Sequence, residues 1–428
     1  MKKQGKKWML VVLALLAVVT VTLPLVGCKN DTVAEQTGDG TGSGSGNQGT
    51  GDPEQPVTYT VSFNTNEGST VPSQTLERGK TATKPADPTL ENNVFGGWYS
   101  DEELTSEYDF TTPVTGSFTL YAKWVKRIEV TAYNVSTVIE GLTGDGSYIL
   151  VVTGELNDLS AITTALDEKP NAKVNLDLSK VSGLTEIGPE AFRGCSGLTS
   201  ISIPSSVEII KFLAFEDCSG LTSIDIPEGV TTIGAGAFDG CSSLNIIVNE
   251  YNTTYSSEDG MLLNKEKTTL IAYPSAKGTV TNVPTSVTTI VDSAFYGCSG
   301  LTSINIPEGV TTIGAAAFDG CDSLTSISIP KGVKIIGVAA FDGCDSLTSI
   351  TIPSSVTSIG VAAFYGCSSL EEVTMEATTP PELGMWAFNG TAGNLQILVP
   401  KGSVKDYWEA ENWKEYSGII EAIPDQTS

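Results

Sequence analysis

The cysteines are the residues best suited to chemistry in this chain, which has no histidine among its 428 residues. Seven of the eight cysteines follow a 23-residue period with one longer gap, at Cys195, Cys218, Cys241, Cys298, Cys321, Cys344 and Cys367. Thiolates gathered around one point bind zinc, and two facing thiols form a disulfide. A fixed spacing instead puts one thiol in each structural turn, in one inward column. We predict buried, free thiols that pack as small apolar groups, with a disulfide or a metal site as the alternatives.

Carboxylates are the second group of side chains that could bind a metal ion or take part in catalysis. Asp239, Asp319 and Asp342 each precede a Gly-Cys pair, and such a column offers the oxygen ligands that calcium prefers. A turn that exposes its aspartate to solvent explains the same pattern, and we adopt that interpretation. No two carboxylates stand apart as a general acid and base, and the lack of histidine excludes a histidine-based triad or histidine-ligated zinc. The sequence therefore predicts a protein that is not an enzyme and needs no metal or cofactor.

The overall charge narrows the class of partner. The chain carries 50 Asp and Glu against 24 Lys and Arg, a formal net charge of −26. Nucleic acid binding requires a basic surface, so a nucleic acid partner is excluded. With 40% hydrophobic and 17% charged residues, the chain is too apolar for wholesale disorder and long enough for two or three domains.

The first residues predict a signal that targets the protein to the cell envelope, rather than a folded domain. A basic start is followed by the apolar run Trp8–Leu23, which is the layout of a secretory signal peptide over residues 1–27. The sequence Leu25-Val26-Gly27-Cys28 resembles the bacterial lipobox, which implies that Cys28 is acylated and serves as a lipid anchor on the outer surface of the cell envelope. An uncleaved membrane anchor with an incidental cysteine is the alternative. Residues 28–56 are Gly/Ser-rich, so we expect a flexible tether there.

Residues 57–126 form a small aromatic module. Tyr59–Phe63 and Phe118–Trp124 alternate as strands do, and between them lie the motifs Phe95-Gly96-Gly97-Trp98-Tyr99 and Tyr108-Asp109-Phe110. These segments resemble the Listeria–Bacteroides repeat of internalin B type, which implies a small β-grasp-like sheet. The large aromatic residues could form a platform for sugars, but so short a domain needs them to build a core. We interpret them as core residues: Trp98, Tyr99, Tyr108 and Trp124.

A 23-residue repeat dominates the second half of the chain. Its units follow the pattern Leu-Thr-Ser-Ile-x-Ile-Pro-x-x-Val-x-x-Ile-x-x-x-Ala-Phe-x-x-Cys and begin at Leu198, Leu221, Leu301, Leu324 and Leu347. Leu, Ile and Ile at the first, fourth and sixth positions predict a short strand with one buried face, which proline ends. Val and Ile begin a second extended segment, and Ala-Phe closes a turn over the core. Each turn can bury its apolar face only against its neighbours, which predicts a mainly β solenoid.

This pattern resembles the BspA-like (Treponema-type) leucine-rich repeat, through its Ile-Pro-x-x-Val-x-x-Ile core and its Ala-Phe-x-x-Cys ending. The chain lacks the asparagine ladder of the general leucine-rich pattern, since Gly229 or an equivalent takes that place. The resemblance implies leucine-rich repeats over 198–394, with a variant long repeat at 244–300 that contains a hairpin and bulges from the stack. It also implies a surface protein with a role in binding or adhesion.

Both ends of the repeat region predict caps, because a terminal turn would otherwise expose its core and its sheet edge. Residues 127–197 predict an N-terminal cap and a first partial repeat, with a helix at Leu159–Leu166 between two strands. Residues 395–428 predict a C-terminal cap, with a helix over Val404–Trp413.

Short polar residues mark the outward side of the first strand in each repeat, and we name this set the serine face. Its members are Ser200, Ser202, Ser223, Asp225, Ser303, Asn305, Ser326, Ser328, Ser349 and Thr351. Solenoids use continuous faces of this kind to bind extended partners. Short polar residues also suit any exposed strand, so both interpretations stay open.

Two classes of function follow from these patterns. The first is a lipid-anchored surface protein that binds a host or neighbouring-cell macromolecule through the serine face. The second is an envelope-associated carbohydrate-binding or accessory protein of a polysaccharide-handling system. Either class predicts an extracellular protein or glycan ligand, attachment to the membrane through the lipid anchor, and a monomer.

Overall fold

The computed structural model of the protein describes residues 56–143, 146–273 and 280–424, apart from the side chains of residues 280 and 281. The predicted signal peptide 1–27, the lipid-anchor residue Cys28 and the tether as far as residue 55 lie outside these ranges. None of the helices within the described ranges is long and apolar enough to cross a membrane.

The aromatic module is a mixed four-stranded sheet. Its strands are β1 (Thr58–Asn64), β2 (Gln74–Glu77), β3 (Asn93–Tyr99) and β4 (Phe118–Thr131). Strand β1 pairs antiparallel with β2 and parallel with β4, and β3 pairs antiparallel with β4. Residues 57–126 contain no helix, so the expected β-grasp-like arrangement consists of its sheet alone.

Aromatic side chains build the core of this module. Trp98 is 1% exposed, and its ring centroid lies 4.9 Å from that of Phe63. The other aromatic residues assigned to the core are half-buried: Tyr99, Tyr108 and Trp124. Burial of the indole confirms the core interpretation for Trp98, whose face is covered by protein and cannot stack on a sugar.

One long strand joins the module to the solenoid. The first part of β4 pairs with β1 and β3, and its last part, Lys126 to Thr131, pairs in parallel with β5 (Ser147–Glu155). The sheet therefore crosses the predicted domain boundary after residue 126 without a break. This arrangement is possible because a strand presents hydrogen-bonding groups along the full length of both edges.

The N-terminal cap has the predicted strand–helix–strand order and one further helix. It consists of α1 (Val135–Glu140), β5, α2 (Ser160–Asp167) and β6 (Lys173–Ser182). Helix α2 buries Ile162, Ala165 and Leu166, which contribute to the core of the first turns. An amphipathic helix of this kind covers the apolar end of the stack.

Each regular turn of the solenoid contributes two short strands. The first strands are β8 (Leu198–Ser202), β10 (Ser223–Ile226), β12 (Asn245–Val248), β16 (Val280–Asn282), β18 (Ser303–Asn305), β20 (Ser326–Ile327), β22 (Ser349–Ile352), β24 (Glu372–Met375) and β26 (Gln396–Val399). The second strands are β7 (Glu186–Ile187), β9 (Ile209–Ile210), β11 (Thr232–Ile233), β17 (Thr289–Ile290), β19 (Thr312–Ile313), β21 (Ile335–Ile336), β23 (Ser358–Ile359) and β25 (Glu382–Leu383). Neighbouring turns pair in parallel, as Ser223 does with Ser200. The solenoid of about 12 turns confirms the predicted fold.

Phenylalanine residues stack through the solenoid core. Phe318 is fully buried, and its ring centroid lies 4.7 Å from that of Phe295 and 5.2 Å from that of Phe341. The planes of Phe318 and Phe341 differ by 2°. These spacings are close to the separation of paired strands, so the ring stack follows the backbone repeat.

The repeat cysteines form a second column beside the rings, where all seven are buried, as predicted, and none of them is in a disulfide. The thiol of Cys344 donates a hydrogen bond to the carbonyl of Phe318 at 3.2 Å, and Cys218 donates to the carbonyl of Phe192 at 2.9 Å. Burial raises the pKa of Cys195 to about 12. Thiols with such pKa values are poor nucleophiles, because the thiolate is the reactive species.

The variant repeat inserts an antiparallel meander into the solenoid. Its strands are β13 (Tyr255–Glu258), β14 (Met261–Asn264) and β15 (Thr269–Ala272). Alternate residues of β14 enter different cores, since Leu262 packs with the N-terminal turns while Met261 and Leu263 pack with the C-terminal turns. The described strands of the meander therefore lie within the stack, in contrast to the expectation that the extra residues bulge from it. A strand with consecutive apolar residues buries both of its faces, and here it divides the solenoid core in two.

The C-terminal cap differs from the single helix predicted over Val404–Trp413. It consists of α3 (Val404–Glu409), a 3-10 helix (Trp413–Ile419) and β27 (Ile420–Ala422). Asn412 adopts a φ of 61°, a left-handed conformation that an α-helix of L-residues does not continue through. The change of direction at Asn412 brings Trp413 into the core, where its indole N–H donates to the carbonyl of Pro381 at 2.8 Å.

Candidate binding face

The serine face lies on the outward side of the first strands, as the repeat pattern predicts. In β10, for example, Asp225 is exposed while Ile224 is 1% exposed. All members of the serine face are exposed or half-buried: Ser200, Ser202, Ser223, Asp225, Ser303, Asn305, Ser326, Ser328, Ser349 and Thr351. This alternation is that of strands with one buried side, and it leaves the polar groups accessible to a partner.

The serine face is divided rather than continuous. Within the described residues the first strands belong to three sheets, of which one ends at β12, one contains β16, β18 and β20, and one begins at β22. Ser200 pairs with Ser223 in the first sheet, and Ser303 pairs with Ser326 in the second. Ser349 and Thr351 lie in the third sheet. The structure therefore brings the predicted residues together in three groups.

A groove of about 300 Å³ opens on the serine face between β20 and β22. Its polar lining residues are Ser326, Ser328, Lys331, Ser349, Thr351 and, after β24, Glu376, and its apolar ones are Ile327, Ile329, Ile350 and Pro353. The hydroxyls can donate and accept hydrogen bonds, and the lysine and the glutamate add one charge of each sign. This part of the serine face is therefore a shaped site as well as a polar surface.

The structure extends the serine face to strands that the repeat pattern did not mark. Asn175 and Asp177 of β6 pair with Ser200 and Ser202, so they belong to the same face. Further positions in register with the face are Asn245 and Ile247 on β12 and Glu372 and Thr374 on β24. The alternation Val174-Asn175-Leu176-Asp177-Leu178 carries a signal for the first two. Ile247 is 48% exposed and interrupts the polar surface, a feature that no repeat consensus predicts.

The aspartate column is more buried than a solvated turn would be. Asp239, Asp319 and Asp342 are half-buried. Burial is the main cause that raises the pKa of Asp239 to about 7 and that of Asp319 to about 6. The nearby carboxylates of Asp342 and Asp322 contribute to the raised pKa of Asp319. Within the described part of the chain, no group of three or more potential ligands lies close enough to hold a metal ion. The column therefore gathers partly buried carboxyl groups whose pKa values are raised.

Known protein families account for most of this architecture. Residues 173–276 and 272–395 match the model of the BspA type leucine rich repeat region, in 6 copies, and together they span more than half of the chain. This chain belongs to the BspA-type leucine-rich repeat family. Residues 59–123 of this BspA-type protein match the Listeria–Bacteroides repeat domain, which confirms the interpretation of the aromatic module.

Individual relatives share parts of this BspA-type protein. A protein of Evansella cellulosilytica with the provisional name Gly-rich membrane protein is 43% identical over 102 residues, which cover 24% of this chain and 11% of that protein. A second protein of the same organism, provisionally named a membrane protein, is 42% identical over 98 residues, which cover 23% of this chain and 14% of that protein. The chain thus matches only a small part of the length of these curated relatives.

A solved structure supports the fold over a longer stretch. The pneumococcal vaccine antigen PcpA superposes with a TM-score of 0.51 at 20% identity, over 85% of this chain and 89% of that chain. At this level of identity the match shows a common fold. The ligand depends on local surface residues, which a common fold does not identify.

Proposed function

We propose that this BspA-type protein is lipid-anchored through Cys28 on the outer surface of a bacterial cell and binds a host or neighbouring-cell macromolecule through the serine face. The observation that carries the proposal is the groove between β20 and β22, where Ser326, Ser328 and Ser349 are exposed. Membrane-protein names among the relatives agree with attachment to the envelope.

The groove suits an extended polar partner. Its hydroxyls offer hydrogen bonds in both directions, while their small size lets a main chain or a glycan approach the sheet closely. Lys331 and Glu376 at the groove can pair with charges of either sign on the partner. The pairing of β18 with β20 continues the surface beyond the groove, so several turns can contact one partner.

Exchange of Ser303, Ser326 and Ser349 for arginine in one triple variant tests the binding face. The three positions lie one 23-residue period apart, and the added bulk and charge would block both the groove and the adjoining strand. We expect binding to intact host or neighbouring bacterial cells, measured by flow cytometry, to fall by at least about tenfold. The melting temperature should change little, because exposed substitutions usually move stability by less than about 0.5 kcal/mol each.

The matched control is the triple exchange of Thr231, Thr311 and Thr357 for arginine. These threonines are exposed and occupy equivalent positions of their repeats, directly before the second strand. Their exchange adds the same charge as the serine exchange but on a different surface. Loss of cell binding in the threonine variant with retention in the serine variant would contradict the assignment. Glycan arrays with the wild-type protein separate the two ligand classes, since specific glycan binding would favour the carbohydrate-binding alternative.

The anchor is tested by Cys28→Ala. Acylation requires the Cys28 thiol, so metabolic labelling with an alkyne fatty acid should mark the wild-type protein and spare the variant. The variant should also leave the membrane fraction or remain unprocessed, while the buried repeat cysteines stay unlabelled in both proteins. Equal fatty-acid labelling of both proteins would rule out Cys28 as the acceptor.

A further inference from the structure

A cavity of about 560 Å³ lies where the N-terminal turns meet the inserted meander. We name it the junction cavity. One wall is the segment from Gly234 to Asp239, which follows β11. The opposite wall comes from β15 and from β17 with the residues after it, through Thr269, Ile271, Ala272, Thr289, Ile290, Val291 and Asp292. It lies among the second strands and shares no residue with the groove on the serine face.

The junction cavity exists because the stacking of turns is interrupted here. Strand β11 is the last member of its sheet, whereas β15 and β17 belong to the next sheet. The backbone N–H of Ile233 donates to the hydroxyl of Tyr255 at 2.9 Å, so a side chain takes the place of a neighbouring strand. Phe238 at this edge is 8% exposed, whereas Phe215 one turn earlier is fully buried. The repeat thus leaves a gap beside Phe238 that no regular turn fills.

The walls of the junction cavity are mainly apolar and accessible. Ile233, Ile271 and Val291 line it and are only half-buried. Gly236 adopts a φ of 63°, and a Cβ atom there would approach an Asp239 carboxylate oxygen to 2.7 Å. The small side chains of this wall therefore keep the space beside the carboxylate open. Accessible apolar walls of this volume are typical of sites that bind a small ligand or a protruding side chain.

The rim of the junction cavity is acidic. Asp239 and Asp292 line it, and no Lys or Arg is among its described lining residues. Burial is the main cause that raises the pKa of Asp239 to about 7, against the effect of a hydrogen bond with Ser293. The nearby carboxylates of Glu216, Asp217 and Asp319 contribute to this raised pKa. A cation placed beside Asp239 would relieve this repulsion and stabilise the carboxylate.

We propose that the junction cavity binds a basic side chain, arginine or lysine, that a partner protein presents next to an apolar residue. The charged head would pair with Asp239 at the rim, and the aliphatic stem and the adjoining apolar residue would pack on Ile233, Ile271 and Val291. Two features together select this occupant, namely the apolar volume and the two carboxyl groups at the rim. This contact is additional to the proposed serine-face interaction and uses a different surface.

Binding of a labelled peptide to the full chain tests the proposal. The probe is fluorescein-labelled Gly-Leu-Arg-Leu-Gly, and the paired probe carries citrulline, which is neutral and nearly isosteric, in place of arginine. Fluorescence anisotropy should show binding of the arginine peptide below about 1 mM, and binding of the citrulline peptide should be weaker by at least about tenfold. Absence of binding by the arginine peptide, or equal binding of both peptides, would overturn the proposal.

Matched variants locate the site. Asp239→Asn removes the charge and Ala235→Trp fills the cavity, and each should weaken arginine-peptide binding by at least about tenfold. Their controls are Asp342→Asn and Val338→Trp, which occupy the same two repeat positions away from the cavity and should stay within about twofold of wild type. If circular dichroism shows that Ala235→Trp does not fold, the comparison of Asp239→Asn with Asp342→Asn tests the proposal. Equal effects of Asp239→Asn and Asp342→Asn would show that peptide binding responds to general charge, which would overturn the proposal.

Two further measurements separate peptide binding in the junction cavity from binding on the serine face and from binding of a small amine. The triple arginine variant at Ser303, Ser326 and Ser349 should keep its affinity for the peptide, because these residues lie outside the junction cavity. Retained peptide binding in that variant would keep this proposal independent of the proposed function. Displacement of the peptide by free phenethylamine at lower concentration than by unlabelled peptide would assign the cavity to a small amine and contradict the proposal.

Discussion

Replacement of Phe318 by alanine is expected to lower the free energy of unfolding of the solenoid by about 3–5 kcal/mol, the usual range for emptying a buried phenylalanine site. The ring is fully buried and stacks on Phe295 on one side and on Phe341 on the other. Both neighbours are held in their own turns, so neither can move far to fill the space. Because each turn contacts only its neighbours, the loss should centre on the adjacent turns.

Urea unfolding followed by circular dichroism measures the change in stability, and hydrogen exchange of β17, β19 and β21 locates it. The full chain is the appropriate sample, since a fragment that begins at residue 128 would cut β4 within its range Phe118–Thr131. Phe212→Ala is the matched control, because Phe212 is 49% exposed, and it should cost less than about 1 kcal/mol. Similar losses for Phe318→Ala and Phe212→Ala would show that Phe318 is not a core residue.

Replacement of Trp413 by alanine is expected to release the C-terminal cap, with a local loss of about 3–5 kcal/mol. Trp413 is fully buried, donates its indole N–H to the carbonyl of Pro381, and packs 4.9 Å from Tyr407 and 6.0 Å from Phe388. Phe388 is the last phenylalanine of the stack, so Trp413 closes the core at this end. Loss of the indole would expose this ring and leave the Pro381 carbonyl without its donor.

Hydrogen exchange should distinguish this end effect from the central effect of Phe318→Ala. Amides of β24, β26 and β27 should exchange faster in Trp413→Ala by about a hundredfold or more, while amides of β8 and β10 keep their protection. Trp408→Ala is the control, since Trp408 is 45% exposed and lies on α3 of the same cap. Uniform loss of protection along the whole solenoid would contradict the view that stability accumulates turn by turn.

The period of the solenoid and the direction of most side chains follow from the amino-acid pattern alone. Residues such as Leu324, Ile327 and Phe318 recur every 23 residues, and strand alternation decides locally which of them turn inward. The same local rule identified the polar positions of the serine face, and the Phe-x-Gly-Trp-Tyr motif identified the aromatic module. These inferences hold because they depend on contacts within one turn or with an identical neighbour.

The way in which the variant repeat predicted at 244–300 enters the core depends on contacts between distant turns, which only the folded chain shows. Leu262 and Leu263 are adjacent apolar residues that the sequence does not distinguish. They enter different cores because the meander lies between two stacks of turns. The groove between β20 and β22 and the junction cavity also depend on how neighbouring turns pair. The repeat consensus is nearly unchanged at the groove, whereas the junction cavity lies beside the inserted meander. The groove lies where the first strands of two successive turns do not pair, and the junction cavity lies where the inserted meander separates two sheets of second strands.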